Sequence, residues 1–446
     1  MAIEAEILQQ KLANVKEVAC VIADINGIPR GKMMSREGFL SGRRLQMARG
    51  ILLQCIMGGY PPTHFYGADD GDVAVYPDEQ HIYLLPWSAI PKALVLSDAH
   101  ELNGEPSNLC SRVLLKRILQ RYSQLKLEPV VATEIEFFLF DKNADPKEPF
   151  IPPAGLDGRR ETGAAGFTVS ANNNLQPFFQ ELYQAMELFG IPRDTFEHEM
   201  GTSQFELNLV HDNALLIADQ TLLFKFMVKE LALKHGMVAV FMAKPVEGVA
   251  GSSMHIHQSI VNKETGNNIF NDEKGEATPA FFNYIGGLQT VLGDLTPFYA
   301  PNINSFQRLN NPYYSPNNVC WSYDNRAAGL RIPVSSPEAR RIENRLAGVD
   351  VNPYLAIAAT LAAGLYGLEN NCQPTEPSSG EIVVPDELTV PNSLFGALQR
   401  LEKSKLASGL FNQEFIDGFV ATKRQELQSF FEEISPWERL YLGGQL

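Results

Sequence analysis

The stretch VVATEIEFFLF, from Val130 to Phe140, has the composition of a buried β-strand but carries two carboxylates near its middle. Residues i and i+2 of a strand point to the same face, so Glu134 and Glu136 lie side by side, about 7 Å apart. Two carboxylates on one face of an apolar strand repel each other and are costly to desolvate. The stretch therefore predicts a core strand whose polar face needs a group of opposite charge.

Three further segments combine a strand-like composition with one polar face: QFELNLV, MHIHQSI and RRIENRL. The residues that share a face in these segments are Gln204, Glu206 and Asn208; His255, His257 and Ser259; and Arg341, Glu343 and Arg345. A single face of this kind is more often a solvated sheet surface. Four faces rich in Glu, His and Arg favour one shared site instead.

The pooled candidate ligands indicate the class of metal ion. They are five carboxylates and one imidazole, without a thiolate: Glu134, Glu136, Glu199, Glu206, Glu343 and His255. This oxygen-rich set suits Mg²⁺ or Mn²⁺ better than Zn²⁺, and six such groups suit more than one ion.

Arginines in the C-terminal half form a second set of candidates: Arg308, Arg326, Arg331, Arg341 and Arg345. Guanidinium groups bind phosphate and carboxylate in bidentate fashion. Several arginines near Mg²⁺ are typical of sites that stabilise a phosphoryl group in transfer. The alternative for any single arginine is a surface salt bridge. No GxxxxGK[ST] motif occurs, which excludes a P-loop enzyme.

The composition limits the other possibilities. The chain has 446 residues, a net charge of −15 and no basic run, which argues against a nucleic-acid partner. Its five cysteines show no CxxC spacing, so we expect a reducing compartment. The acidic N-terminal stretch is unlike a signal peptide, and no run of about 18 apolar residues predicts a membrane span. We therefore expect a cytoplasmic enzyme of two or more domains.

The coarse pattern of elements supports this organisation. VACVIADINGIPRGK predicts a hairpin around an Asn-Gly turn. Turn residues of NGEPSNLCSR mark a boundary before a helix over SRVLLKRILQRYSQL. We also expect helices over 214–235 and 353–369, amphipathic helices in the tail, and an irregular loop over 141–171.

Six motifs occur in an order that resembles the glutamine synthetase family: TEIEFFLF, HEMGTSQFELN, GSSMHIHQS, NSFQRL, NRAAGLRIP and ARRIENRLAGVDVNPYL. The resemblance runs from about Val18 to the C-terminus. It implies an α+β fold, with a small N-terminal β-grasp-like domain (1–105) and a catalytic domain (106–446) built around a curved antiparallel sheet. It also implies a homo-oligomer, a dodecamer of two stacked hexamers with active sites between subunits.

The resemblance further implies an ATP-dependent reaction in which glutamate forms a γ-glutamyl phosphate that an amine then attacks. ATP would be a co-substrate, and each site would hold two or three ions, Mg²⁺ or Mn²⁺. The implied ligands are Glu136, Glu199 and Glu206 for one ion, and Glu134, His255 and Glu343 for a second. The implied substrate contacts are His257, Ser259 and Arg341 for ATP; Gly251, Arg308 and Arg345 for glutamate; and Arg326 and Arg331 for the transferring phosphoryl group.

The sequence departs from ammonia-using members at the acceptor site. The region 52–78 lacks their Asp-Gly-Ser-Ser stretch, and only Asp72 keeps the later part of that pattern. Tyr314 stands where the family has a flap glutamate, and a phenol is a poor substitute for a carboxylate base. Ala250 and Glu338 replace an asparagine and a lysine usual in the family. The stretches DINGIPRGK and EHEMGTSQFE resemble more closely the glutamate–polyamine and glutamate–alkylamine ligases.

The favoured hypothesis is therefore a glutamate–amine ligase whose acceptor is a polyamine such as putrescine or a small alkylamine. The alternative is a glutamine synthetase that uses ammonia at an unusual site. A catalytically inactive, ring-forming relative is disfavoured because all six candidate metal ligands are present. The acidic cluster Asp69, Asp70 and Asp72 is either a counter-charge for the amine or a solvated turn.

Overall fold

The structure, a computed structural model, describes residues 2–67, 69–143, 145, 147–311 and 315–445. Two β-sheets and a set of helices form the described part of the chain. The α+β class expected from the sequence is confirmed.

The first sheet has five strands in the order β2-β1-β5-β4-β3. Its central strands β1 and β5 run parallel, and the other neighbours pair antiparallel. The strands are β1 Glu17–Ala23, β2 Pro29–Ser35, β3 Leu45–Ala48, β4 Asp72–Leu84 and β5 Lys92–Glu101. The predicted Asn-Gly hairpin is confirmed as the antiparallel pair of β1 and β2.

The second sheet has nine strands, seven of them in the order β12-β13-β14-β11-β6-β8-β7, with β9 and β10 paired to β6. All pairs are antiparallel except β12 and β13, so the expected antiparallel sheet contains one parallel pair at its edge. The strands are β6 Leu127–Asp141, β7 Arg193–His198, β8 Gln204–Leu209, β9 Asp212–Asn213, β10 Met237–Val240, β11 Met254–Asn262, β12 Trp321–Tyr323, β13 Leu330–Ile332 and β14 Ile342–Asn344.

Fourteen α-helices occur in the described residues. They are α1 Ala2–Lys11, α2 Arg36–Leu40, α3 Ser111–Gln124, α4 Val169–Asn173, α5 Gln176–Phe189, α6 Ala214–Lys234, α7 Pro279–Val291, α8 Thr296–Tyr299, α9 Ile303–Leu309, α10 Pro353–Asn370, α11 Leu394–Lys403, α12 Lys405–Phe411, α13 Gln413–Phe431 and α14 Pro436–Tyr441. The three long helices predicted between 111 and 369 are confirmed to within a residue at each end. In the described part of the chain, no helix has the length and apolar character that crossing a bilayer requires.

A buried arginine ties the first sheet to helices α3 and α6. Arg112, on α3, donates to Asp219 on α6 through two nitrogens, at 2.9 and 2.8 Å. The same guanidinium donates to Asp98 of β5 at 2.9 Å and to Asp78 of β4 at 2.8 Å. Because Arg112 is only 1% exposed, these carboxylates supply the neutralising charge that its burial requires.

The Asn-Gly turn of the first hairpin docks on distant parts of the chain. Gly27 has a φ of +74°, and a Cβ there would lie 2.9 Å from Cα of Asn352, so only glycine fits. Lys423 on α13 donates to Asn26 Oδ1 at 2.5 Å, and Asn352 Nδ2 donates to Asp24 O at 2.8 Å. The start of the first sheet is therefore held by residues near the other end of the chain.

Candidate active site

Three carboxylates lie in one line across the second sheet. Glu136 on β6 pairs in register with Glu206 on β8, and Glu206 pairs in register with Glu197 on β7. Directly opposed residues of antiparallel strands share a face, with Cβ atoms about 5 Å apart. Glu199 follows the end of β7, and carboxylate oxygens of Glu197, Glu199 and Glu206 lie within 4.8 Å of one another. We call these four residues the carboxylate row.

A second line combines carboxylates with imidazoles. Glu134 pairs in register with His255, and His257 pairs with Glu343. The Glu134 carboxylate accepts from both rings, at 2.9 Å from His255 Nδ1 and 2.8 Å from His257 Nε2. Glu343 Oε1 lies 3.8 Å from His255 Nδ1. We call these four residues the histidine row.

The two rows contain all six metal ligands expected from the sequence, but the clusters of ligand atoms within 4.8 Å include four of them and leave out Glu136 and His255. The ligand atoms that cluster within 4.8 Å are those of Glu134, His257 and Glu343, whereas His257 was expected to contact the nucleotide. In the carboxylate row, Glu197 joins Glu199 and Glu206, and it was not among the expected ligands. The signal for Glu197 was present in FEHEM, where Glu197 and Glu199 show the same i, i+2 spacing as Glu134 and Glu136.

The protonation of the carboxylate row reflects its crowded negative charge. Burial, and then the charge of Glu199, raise the pKa of Glu136 to about 8. Burial, and then the charge of Glu136, raise the pKa of Glu206 well above its usual range. Burial and the charge of Glu199 also raise the pKa of Glu197. A positive ion at the row would relieve this repulsion.

In the histidine row, in contrast to the carboxylate row, the pKa values of Glu134 and His255 are lowered. Burial alone would raise the pKa of Glu134, but hydrogen bonds from His255 and His257 hold it well below its usual range. Burial and the nearby charge of Arg345 lower the pKa of His255 to about 4, so this ring is neutral at neutral pH. A neutral imidazole next to ionised carboxylates is the form that binds metal ions.

The donor set of the two rows fits hard divalent cations. The carboxylate row offers only oxygen ligands, as Mg²⁺ and Mn²⁺ prefer. Glu206 is only 6% exposed, and no donor among the described residues hydrogen-bonds to its carboxylate. A buried carboxylate without a partner is costly, and a bound cation would remove that cost.

Two of the expected arginines converge on Glu343. Arg331 Nη1 donates to Glu343 Oε2 at 2.7 Å and Nη2 donates to Asp324 at 2.6 Å, while Arg345 contacts Glu343 Oε1. The Nε atoms of Arg331 and Arg345 are buried and have no hydrogen-bond partner among the described residues. These N–H groups are available to an anionic substrate. Arg326, by contrast, is exposed and lines a small separate pocket with Asp324.

Gly251 and Arg308 pack directly against each other. A Cβ at Gly251 would lie 3.0 Å from Arg308 Cγ and 2.4 Å from the Ala243 carbonyl oxygen. Arg308 is 1% exposed, and its guanidinium donates to Ser253 Oγ at 3.1 and 3.0 Å. It also donates to the carbonyls of Leu346 and Arg345. Four of the five N–H groups of Arg308 are thus engaged by protein acceptors, and one Nη1 N–H is left for a further acceptor such as a carboxylate.

A large cavity opens beside the histidine row. Its volume is about 1180 Å³, and it is lined by the three residues expected to contact ATP, His257, Ser259 and Arg341. Arg341 Nε donates to His257 Nδ1 at 3.2 Å, so the ring proton of neutral His257 lies on Nε2, facing Glu134. Residues 266–268 and 271–275 form another wall, which sequence reasoning missed. Their turn residues indicated a loop but not which face of the sheet it covers.

Of the two expected acceptor residues, Asp72 and Tyr314, the structure describes only Asp72, which is not part of either row. Asp72 is exposed at the start of β4, in the first sheet, where it pairs in register with Ala48. Asp70 Oδ1 accepts a hydrogen bond from Gly50 N at 3.1 Å, which gives it a role in its own turn. Tyr314 lies outside the described residues.

Comparisons with known proteins bear on this arrangement. The family model described as the glutamine synthetase catalytic domain matches residues 108–441. A glutamate–isopropylamine ligase of Pseudomonas sp is 33% identical over 444 residues, covering 95% of this chain and 94% of the relative. The gamma-glutamylputrescine synthetase PuuA of Escherichia coli strain K12 is 31% identical over 442 residues, covering 96% and 92%. The type-1 glutamine synthetase 2 of Dictyostelium discoideum is 32% identical over 464 residues, covering 98% of this chain and 86% of the relative.

The fold agrees with these matches. A solved structure described as a GmaS/ADP complex superimposes with a TM-score of 0.83 at 27% identity, covering 98% of this chain and 99% of that one.

Proposed function

The chain belongs to the glutamine synthetase family, and from this premise we propose that it joins an organic amine, a small alkylamine or a polyamine such as putrescine, to the side-chain carboxyl of glutamate. It is an ATP-dependent carboxylate–amine ligase. The observation that carries the choice of acceptor is the contrast between two regions. All residues expected to bind metal ions and phosphate are present in the sequence. Two acidic groups of ammonia-using members are absent: the aspartate of the Asp-Gly-Ser-Ser stretch in the region before Asp72, and the flap glutamate at the position of Tyr314.

The reaction needs a site for glutamate next to the terminal phosphate of ATP. We propose that the histidine row and the cavity beside it hold the nucleotide, with His257, Ser259 and Arg341 as its contacts. Gly251, Arg308 and Arg345 are proposed to bind glutamate. In the described part of the chain, the Nε atoms of Arg331 and Arg345 are buried without an acceptor. This supports anionic substrates beside these arginines, because a buried N–H without an acceptor favours an anionic ligand.

In the first chemical step, a side-chain oxygen of glutamate attacks the terminal phosphorus of ATP, and the bond to ADP breaks. Arg331, with Arg326, is proposed to stabilise the transferring phosphoryl group by donating to its oxygens. In the second step the amine attacks the acyl phosphate carbon, loses a proton, and displaces inorganic phosphate. Divalent cations in such sites neutralise negative charge that develops on the phosphoryl group.

Glu136, Glu199 and Glu206 are proposed as ligands of one ion, and Glu134, His255 and Glu343 of a second. The all-oxygen carboxylate row supports Mg²⁺ or Mn²⁺ for the first. We also propose the division into domains 1–105 and 106–446, a cytoplasmic location, and a dodecamer of two stacked hexamers. Strands of the first sheet lie within 17–101 and those of the second within 127–344, which supports that division.

The acceptor is tested by steady-state phosphate release with glutamate, ATP and a panel of amines at fixed pH. The panel is ammonium chloride, putrescine, spermidine, ethanolamine, ethylamine and isopropylamine. Each buried methylene of an organic amine contributes up to about 0.8 kcal/mol, which ammonium lacks. We therefore expect kcat/KM for an organic amine to exceed that for ammonium by at least about a hundredfold, or roughly 2.7 kcal/mol.

The same panel distinguishes the second candidate. If ammonium is the best acceptor, the protein has the activity of a glutamine synthetase, the name that one relative at 32% identity carries. Tyr314→Glu supplies the carboxylate that ammonia-using members have at this point of the sequence. We expect this variant to raise kcat/KM for ammonium and so to reduce the difference between organic amines and ammonium.

A further inference from the structure

Glu197 is the one member of the carboxylate row that the expected metal ligands do not include. It lies on β7, at the edge of the sheet, directly across from Glu206. No donor among the described residues hydrogen-bonds or forms an ion pair with its side chain. Only the more distant charge of Arg326 offsets its negative charge, and no described basic side chain contacts its carboxylate oxygens directly.

We propose that Glu197 is a further ligand of the divalent cation held by the carboxylate row, together with Glu199 and Glu206. The inference rests on the proposed function, because it assumes that this row binds a cation. Oxygens of the three residues lie within 4.8 Å of one another. Oxygens bound to one Mg²⁺ ion, each about 2.0–2.1 Å from it, lie up to roughly 4.2 Å apart, which is a separation of the same order.

The environment of Glu136 explains why a further carboxylate is needed. Glu136 Oε2 accepts from the Ser253 backbone N–H at 2.9 Å and from Gln204 Nε2 at 3.2 Å. One of its two oxygens is therefore already engaged by protein donors. Glu197 has no such engagement in the described structure, so both of its oxygens are available to an ion.

Glu206 is the independent observation that points to a ligand. Glu206 lies between Glu136 and Glu197 in the strand register. It is only 6% exposed, and its side chain receives no hydrogen bond from the described residues. A folded protein rarely leaves a buried carboxylate without a partner. A cation between Glu206 and its neighbours on β7 is the partner that this geometry accommodates.

The test measures Mn²⁺ binding to the full-length protein without nucleotide, by titration calorimetry and by the electron paramagnetic resonance signal of free Mn²⁺. Glu197→Gln keeps the side-chain shape and removes one charge. Because the charge of the ligands sets cation affinity, we expect one class of Mn²⁺ sites to weaken at least about tenfold. The matched control is Glu187→Gln, an exposed glutamate on α5, which should bind Mn²⁺ as the wild type does.

A second variant, Glu206→Gln, distinguishes failure of the proposed Glu197 role from failure of the whole metal site. If Glu206→Gln weakens Mn²⁺ binding and Glu197→Gln does not, the role of Glu197 is refuted while the proposed metal site stands. If neither variant changes Mn²⁺ binding, the row holds no cation and both assignments fail. The amine panel is independent of these outcomes, since binding is measured without turnover. Circular dichroism and size-exclusion chromatography verify that each variant is folded and assembled.

Discussion

Glu136 and Glu206 lie directly opposite each other on adjacent antiparallel strands, and burial raises the pKa of both carboxyl groups above the usual range. This pair is unfavourable by itself and becomes favourable only with a cation. We therefore expect Glu136→Ala or Glu206→Ala to reduce phosphate release with every amine by at least about a hundredfold. Steady-state assays at saturating Mg²⁺ measure the effect.

Glu206→Ala in particular should leave the protein folded, because it removes repulsion and no hydrogen bond of the described residues, whereas Glu136→Ala also removes the acceptor of Ser253 N and Gln204. The thermal midpoint of Glu206→Ala in the absence of metal is expected to stay the same or rise. Near-normal turnover in either variant would refute a metal-binding role for the pair.

The contact between Gly251 and Arg308 leads to a second prediction. A Cβ at Gly251 would lie 2.4 Å from the Ala243 carbonyl oxygen and 3.0 Å from Arg308 Cγ. Gly251→Ala should displace Arg308 and raise the KM for glutamate about tenfold, since overpacking costs roughly 1–3 kcal/mol. The KM for ATP should change little.

Gly163→Ala is a suitable control for this substitution, because a Cβ at Gly163 meets no atom within 4 Å. An unchanged KM for glutamate in Gly251→Ala would argue against a glutamate site at this contact.

The buried Arg112 should contribute strongly to stability. Arg112→Met leaves Asp219, which is fully buried, without the two hydrogen bonds that now neutralise it. Breaking a buried ion pair costs about 3–5 kcal/mol, and we expect a loss of this size in urea unfolding. Arg121→Met, on the same helix, removes an exposed pair with Glu369 and should cost at most about 1 kcal/mol. Equal losses in the free energy of unfolding for Arg112→Met and Arg121→Met would contradict a special role for the buried ion pair of Arg112 and Asp219.

Lys225 predicts a pH dependence of stability. It is buried on α6 and donates to the Val349 and Val351 carbonyls at 2.7 and 3.1 Å. Burial, and then the charge of Lys229, lower the pKa of Lys225 to about 7. The unfolded chain keeps the lysine pKa near 10.4, so from about pH 7 to pH 10 the unfolded state binds more protons. The free energy of unfolding should therefore rise with pH in this window.

The measurement compares urea unfolding of the wild type and Lys225→Met between pH 7.5 and 9.5. The difference between them should grow by up to about 1.4 kcal/mol per pH unit in favour of the wild type. Lys234→Met, an exposed lysine on the same helix, should follow the wild-type slope. Parallel profiles for wild type and Lys225→Met would show that Lys225 does not lose its proton in the folded state.

The acyl phosphate route predicts slow, tight inhibition by phosphinate or sulfoximine analogues of glutamate. Such compounds resemble the tetrahedral species between acyl phosphate and amide, and transition-state mimics bind far more tightly than substrates. Progress curves with ATP should bend toward full inhibition, and mass spectrometry should detect the phosphorylated analogue. Weak, instantly reversible competition would oppose this route.

The sequence predicted which side chains share a face, because the period of two within a strand is local. It correctly grouped Glu134 with Glu136 and His255 with His257. It did not predict which strand lies beside which, since pairing depends on contacts far apart in sequence. Glu197 was therefore missed: its role depends on the pairing of β7 with β8, although the spacing to Glu199 was visible.

Local signals also determined the helix ends and the Asn-Gly hairpin. The stretches DVAVYPD and HIYL each have the composition of a strand, and the structure joins them in one strand, β4, with a register shift between Pro77 and Ile82. The pairing with β5 continues past the irregularity, which composition alone does not reveal. The sequence also does not predict which side of the sheet the loop 266–275 covers.

The docking of the Asn26–Gly27 turn on Lys423 has a consequence for biosynthesis. These partners are 397 residues apart, so the turn leaves the ribosome long before the helix that holds it. Contacts between distant residues slow folding, because a long loop must close before they form. The first hairpin must therefore stay incompletely packed during most of translation, and its docking surface stays uncovered until α13 is made.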